Sequence, residues 1–280
     1  MLHRRTVYSD TIAAMRALRP FFVTGLHGIT YVAVALCVFS AACSHDSSGR
    51  WFERPKTSQQ WLDMALEAPN ADDRRRGVLG LSQGPDGATD WAMKVYDTVA
   101  RTDKDTMVRC AAVKAMGPAA NSGQVSAILK IVSSQTQRFP DVHPAAGPLR
   151  WEAARVLLAI VENQRYEPAQ RGEIVKTLLE RLARDGDRNV RLTVIDTLAY
   201  FAEQPVPAAL IDVLDEEDFA IQRAAENSLI ALTGITHHHD AKAWRAWLAS
   251  AKDPFEKAGQ TPEGIQTTNR RSHWRWDWEF

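Results

Sequence analysis

Asp105-Thr106-Met107-Val108-Arg109-Cys110-Ala111-Ala112-Val113-Lys114-Ala115-Met116-Gly117 is the stretch from which the fold is read. Its apolar residues return at i, i+3, i+4 and i+7, the spacing of one helical face. Asp105 stands where a helix N-cap accepts backbone N–H bonds, and Arg109 follows one turn later, within reach of it at i,i+4. The Ala111-Ala112 step offers a small surface on which another helix can lie close.

Working outward, the phrase recurs. Later copies are Trp151-Glu152-Ala153-Ala154-Arg155-Val156-Leu157-Leu158, Val190-Arg191-Leu192-Thr193-Val194-Ile195-Asp196-Thr197-Leu198 and Ile221-Gln222-Arg223-Ala224-Ala225-Glu226-Asn227-Ser228-Leu229. A weaker first copy is Asp73-Arg74-Arg75-Arg76-Gly77-Val78-Leu79-Gly80-Leu81. The closing anchors Leu81, Met116, Leu158, Leu198 and Leu229 are spaced by 35, 42, 40 and 31 residues. That irregular period suits helix-pair repeats and excludes propeller blades and leucine-rich units. Second helices are predicted between the phrases over residues 91–100, 125–132, 174–182 and 207–214. Residues 61–66 open the stack and residues 243–248 close it.

The phrases resemble HEAT repeats, in particular the short bacterial PBS-lyase HEAT-like variety, whose mark is an Asp-x-x-Val-Arg opening. It is intact at Asp105…Val108-Arg109 and Asp187…Val190-Arg191, and partial at Asp218…Ile221-Gln222. The third repeat, entered through Gly147-Pro148, lacks it. The resemblance covers residues 57–250 and implies an all-α, right-handed α-solenoid of about five helical hairpins, with the Asp105/Arg109 and Asp187/Arg191 pairs forming a ladder between repeats. No hairpin of this kind hides its apolar face alone, so stability comes from stacked neighbours.

The N-terminus reads as an address. Residues 20–44 contain no Asp, Glu, Lys or Arg, and Arg4, Arg5, Arg16 and Arg19 precede them. Positive residues, an apolar segment and then small residues describe an export signal, and the positive-inside bias sends the chain beyond residue 43 across the membrane. Ser40-Ala41-Ala42-Cys43 resembles a lipoprotein lipobox, which implies lipid attachment at Cys43, although Ser40 stands where that family has an aliphatic residue. An uncleaved signal-anchor helix is the other reading, since about 20 apolar residues span a bilayer. Residues 1–43 are thus signal or anchor, 44–56 a polar tether and 251–280 a polar linker with a Trp-rich tail. The expected location is the bacterial envelope, with the soluble part on the periplasmic side.

Composition narrows the function. Residues 1–42 hold four arginines and one aspartate, leaving 30 basic against 33 acidic side chains in the remainder. A net charge near −3 gives no footprint for nucleic acid, which needs clustered Lys and Arg. Cys37, Cys43 and Cys110 show no CxxC spacing, and Cys110 reads as a packed thiol.

Candidate chemistry is sparse. His237-His238-His239-Asp240 carries imidazoles and a carboxylate that can hold zinc or nickel. Consecutive residues point in different directions, however, so the same run reads as a polar loop with Asp240 capping the next helix. The family's iron hydroxylases use His-Glu steps, and the sequence contains no His-Glu dipeptide. Gly-rich phosphate loops, nucleophile elbows and HExxH steps are missing too. Residues 135–148 form the longest connection, a candidate binding loop with Arg138 and His143 as its contacts, or simply tolerated length. Asp72-Asp73-Arg74-Arg75-Arg76 reads as a solvated helix start. The tail places Trp274, Trp276, Trp278 and Phe280 at every second position, for packing on the last repeats, for a membrane interface or for a protein partner. These readings favour a non-catalytic, membrane-tethered interaction scaffold with an unidentified protein partner, no cofactor and no nucleic acid. The alternative is a metal- or cofactor-dependent enzyme, oxygenase- or lyase-like, on the same frame.

Overall fold

The computed structural model describes residues 55–134 and 145–262, and those from Lys56 onward belong to one compact unit. The described chain is all-helical, with no strand. Its α-helices are α1 (Ser58–Glu67), α2 (Ala71–Gln83), α3 (Asp90–Thr102), α4 (Thr106–Met116), α5 (Ser122–Ser133), α6 (Gly147–Glu162), α7 (Arg171–Arg184), α8 (Arg188–Leu198), α9 (Pro205–Asp212), α10 (Phe219–Thr233) and α11 (Ala241–Ser250). The start signals behave as the sequence suggests. Asp105, Asp187, Asp218 and Asp240 each accept backbone N–H bonds at their helix starts, and Thr57 and Asn121 close capping boxes with Gln60 and Gln124. Helix α6 has no side-chain cap and begins on Gly147-Pro148, where proline's missing N–H is harmless.

The helices pack in pairs: α1 on α2, α3 on α4, α5 on α6, α7 on α8 and α9 on α10. The second members touch in sequence, α2 to α4 to α6 to α8 to α10. Among the first members, α5, α7, α9 and finally α11 touch in turn. The core runs between the two rows and includes Leu81, Tyr96, Met116, Ile128, Leu157, Leu178, Leu198, Phe201, Leu229 and Trp244. Ala112, Ala154 and Ala225 are all buried, as small residues between closely packed helices must be. Helices α1 and α2 approach closely. A Cβ on Gly77 would stand 2.3 Å from the Ala65 nitrogen, and one on Gly80 2.3 Å from the Trp61 ring.

The ladder differs from the expected one. Arg191 does not pair with Asp187; its Nε donates to the Leu182 carbonyl and its Nη1 and Nη2 to Glu216. Asp187 accepts from the N–H groups of Asn189 and Val190 instead. The cap geometry explains the change. An N-cap carboxylate turns onto its own first turn, whereas an inward-facing arginine four residues later meets the unsatisfied carbonyls ending the preceding helix. Arg109 likewise donates from Nε to the Ala100 carbonyl near the end of α3, while Asp105 accepts from the N–H groups of Met107 and Val108.

Arginine occupies that fourth position in more repeats than the sequence pattern suggests. Arg74 lies four residues past the Asn70 cap, and Arg150 four past Ala146. The third repeat has therefore lost its aspartate cap but kept its arginine. Three of these arginines bond a carboxylate two residues ahead of the next aspartate cap: Arg74 to Asp103, Arg150 to Asp185 and Arg191 to Glu216. Asp103 and Asp185 also accept the N–H of Asp105 and of Asp187, tying each rung to the next cap. Burial opposes ionisation of Asp103, but the Arg74 hydrogen bond and the Asp105 N–H outweigh it and hold the carboxyl below its usual range. The last repeat replaces arginine by Gln222, which donates to the Leu214 and Glu216 carbonyls.

Candidate binding face

Counted from the caps, positions one, two, five and nine of the second-row helices share one helical face. On this face Met107 is 55% and Phe219 65% exposed, and both are large apolar side chains. Trp151 and Leu192 lie between them, partly buried against the core. Arg155 covers the Trp151 ring at 5.2 Å and bonds both Glu152 oxygens at 2.9 and 3.1 Å. Burial pushes the Glu152 carboxyl above its usual range, and the charges of Arg155 and Lys114 only partly pull it back. Beside it, burial first and Glu152 second push the Cys110 thiol up to about 11. At neutral pH that sulfur is a packed thiol, as its sequence context suggests, and not a nucleophile.

A cleft of about 470 Å³ opens at one end of the face, lined by Asn70, Ala71, Asp72, Asp73, Arg75, Asp105 and Met107. Its charged side chains are acidic apart from Arg75, which pairs with Asp72 at 3.1 Å. The Asp72–Arg76 run is only partly the solvated start expected for it. Arg75 and Arg76 pair with Asp72 and Asp73 near the surface, but Arg74 is buried on Asp103. At the other end Phe219 stands 6.0 Å from the His239 ring, next to the Arg188–Asp218 pair. The Arg188 hydrogen bond lowers the Asp218 carboxyl to about 2.

The histidine run is spread out. Glu226, buried in α10, accepts from the Thr236 hydroxyl at 2.5 Å, the His238 and His239 N–H groups at 3.1 Å each, and Trp244 Nε1 at 2.7 Å. The backbone therefore turns inward, with His238 and His239 at φ 51° and 67°. The rings diverge: His237 meets the Trp244 ring edge-on at 4.9 Å, and His239 leans towards Phe219. Among the described residues no three His, Cys, Asp or Glu side chains come together to hold a metal ion. Asp240 caps α11 through the Ala243 N–H. Glu226 escapes the sequence pattern, although a signal is present. Eight residues past each cap stand Val78, Val113, Ala154, Ile195 and then Glu226, one carboxylate in an otherwise apolar column.

Folded structure continues past residue 250, where the sequence suggests linker. Pro254 is buried, Phe255 packs on the core, and the Gly259 N–H reaches the Ala231 carbonyl at 2.9 Å. A second groove, of about 240 Å³, lies between α9 and α11 and is lined by Ala208, Ile211, Asp212, Arg245, Leu248 and Ala249. Cys43, Arg138, His143, Trp274, Trp276, Trp278 and Phe280 lie outside the described residues. Among the described residues no helix is long and apolar enough to cross a membrane. Neither protein-family models nor curated proteins match this chain.

Proposed function

We propose that the helix pairs form a right-handed HEAT-like solenoid of about five hairpins that serves as a non-catalytic scaffold for a protein partner. The observation that carries this reading is the α2–α4–α6–α8–α10 row, with exposed Met107 and Phe219 at its rim and Trp151 and Leu192 between them. Apolar anchors among paired charges suit a protein surface better than a small substrate, because aromatic and Met side chains supply contact area while the charges set register. The sequence of residues 1–43 supports tethering to a bacterial membrane, through lipid on Cys43 or through an anchor helix, with this face on the periplasmic side.

Affinity capture of the full chain from detergent-solubilised membranes tests the reading. A partner retained by the wild type and lost by Met107→Glu and Phe219→Glu variants with unchanged helicity is the expected result. Intact mass of the mature protein reads the lipid on Cys43. Stoichiometric iron, zinc or nickel in the purified protein would overturn the non-catalytic assignment.

A further inference from the structure

The first row ends at α11, the last helix among the described residues. Between α9 and α11 the small side chains of Ala208 and Ala249 leave a groove of about 240 Å³ beside Ile211 and Leu248. Ile211 is buried and Leu248 packs on the core, so the apolar part of the groove is fixed in place. Sites that enclose a small molecule run to roughly 300–1,000 Å³, and this smaller one suits a large side chain instead. The rim is charged. Arg245 pairs with Asp212 at 3.2 Å and with Asp215, just past α9, at 2.6 Å. Two carboxylates share one guanidinium, and the Asp212 side chain is still 75% exposed, which leaves room for a second cation. The occupant that fits is a large apolar group next to a positive charge.

The chain carries such a group close by. Residues 263–280 lie outside the described ones, and within them Arg270, Arg271 and Arg275 accompany Trp274 and Trp276. No acidic side chain stands between Arg270 and Trp276, so this stretch is positive where the rim is negative. Beyond α11 the described chain stays on the last helix pair, with Phe255 on the core and the Gly259 N–H on the Ala231 carbonyl. Trp274 stands 12 residues past Pro262. That length spans roughly 40 Å when extended, against about 15 Å for the whole of α11. A short tether of this kind gives its segment an effective concentration of about millimolar, an advantage no separate partner has. We propose that the α9–α11 groove is the docking site for the chain's own residues 270–276. An indole of Trp274 or Trp276 lies against Ile211 and Leu248, and the adjoining arginines face Asp212 and Asp215. The docked segment covers the open side of the last repeat, as the end of a repeat stack requires. The contact does not depend on the scaffold reading.

Photocrosslinking of the full chain tests this. With Trp276 replaced by p-benzoylphenylalanine, irradiation should join that position to residues 208–215 or 245–249 of the same polypeptide. Peptide masses from a mixture of light and isotopically heavy chains read the product. Ala208 is exposed, so Ala208→Arg should fold, fill the groove and repel the arginines, cutting the product about tenfold. Asp212→Lys reverses the rim charge without touching the apolar side chains, and it serves equally if Ala208→Arg does not fold. Ala208→Arg should also lower Tm by about 2–6 °C in the wild-type chain, and hardly at all once Trp274→Ser and Trp276→Ser are present. Light–heavy products, which mean docking on a second copy, overturn the proposal. So do products elsewhere in the chain, no product at all, a yield that neither groove variant reduces, or Tm losses that simply add.

Discussion

The ladder from α2 to α8 and the knot around Glu226 at α10 hold neighbouring elements together with opposite charge. In the ladder an inward arginine is closed by a helix-end carbonyl and by a carboxylate from the next repeat, as Arg74 is by Ala68 and Asp103. At the C-terminal end the inward arginine gives way to Gln222, and the buried charge becomes Glu226, surrounded by four neutral donors. An interior repeat has a following repeat to supply a counter-charge. The last helix pair is followed by a loop and α11, which offer N–H and O–H groups, so an anion is what they can satisfy.

The largest expected effect strikes both regions alike. Ala112→Asp or Ala225→Asp places an unpaired charge between packed helices and should cost about 4 kcal/mol or more. An unchanged denaturation midpoint would remove the claim of close helix contact there. Next, Arg150→Ala leaves Asp185 buried and unpaired, which should cost about 3–5 kcal/mol, whereas Arg150→Met with Asp185→Leu should recover most of the loss. Chemical denaturation of the single and double variants reads both values. Glu226→Gln keeps the shape but not the charge and should cost about 1–3 kcal/mol. Trp244 fluorescence should report that loss, because its Nε1 donates to the carboxylate.

The smallest effect is a titration at the exposed edge. Asp218 ionises at about 2, below an ordinary aspartate, because of the Arg188 hydrogen bond. A depressed carboxyl stabilises the fold above its unfolded pKa and loses that contribution as pH falls through the folded value. The Asp218 contribution should thus be complete above about pH 4 and disappear towards pH 2. Carboxyl NMR should show this midpoint, and Arg188→Ala should move it up towards the ordinary value.

Much of the frame was legible because its signals are local. The aspartate caps, the helical stripe and the Ala steps depend on residues within one or two turns of each other, and all occur as read. The Arg191 partner was not legible. Choosing Glu216 over Asp187 requires knowing that the arginine points back across the preceding helix end. Arg150 escaped notice because the aspartate that usually announces it is missing from the repeat entered at Gly147-Pro148. Arg74 looked like one of three surface arginines, and only packing separates it from Arg75 and Arg76. On the candidate face, Met107 and Phe219 follow ordinary caps, and nothing in their neighbours says that they stay uncovered.

The row itself is tested by distance. Nitroxide labels on cysteines at Arg76 in α2 and Arg223 in α10, in a chain with its native cysteines replaced, can be measured by pulsed electron resonance. Four helix-to-helix steps of 8–10 Å place the labels roughly 30–40 Å apart. A distribution centred below about 20 Å would mean that the first and last pairs fold against each other, contradicting a row of neighbour contacts.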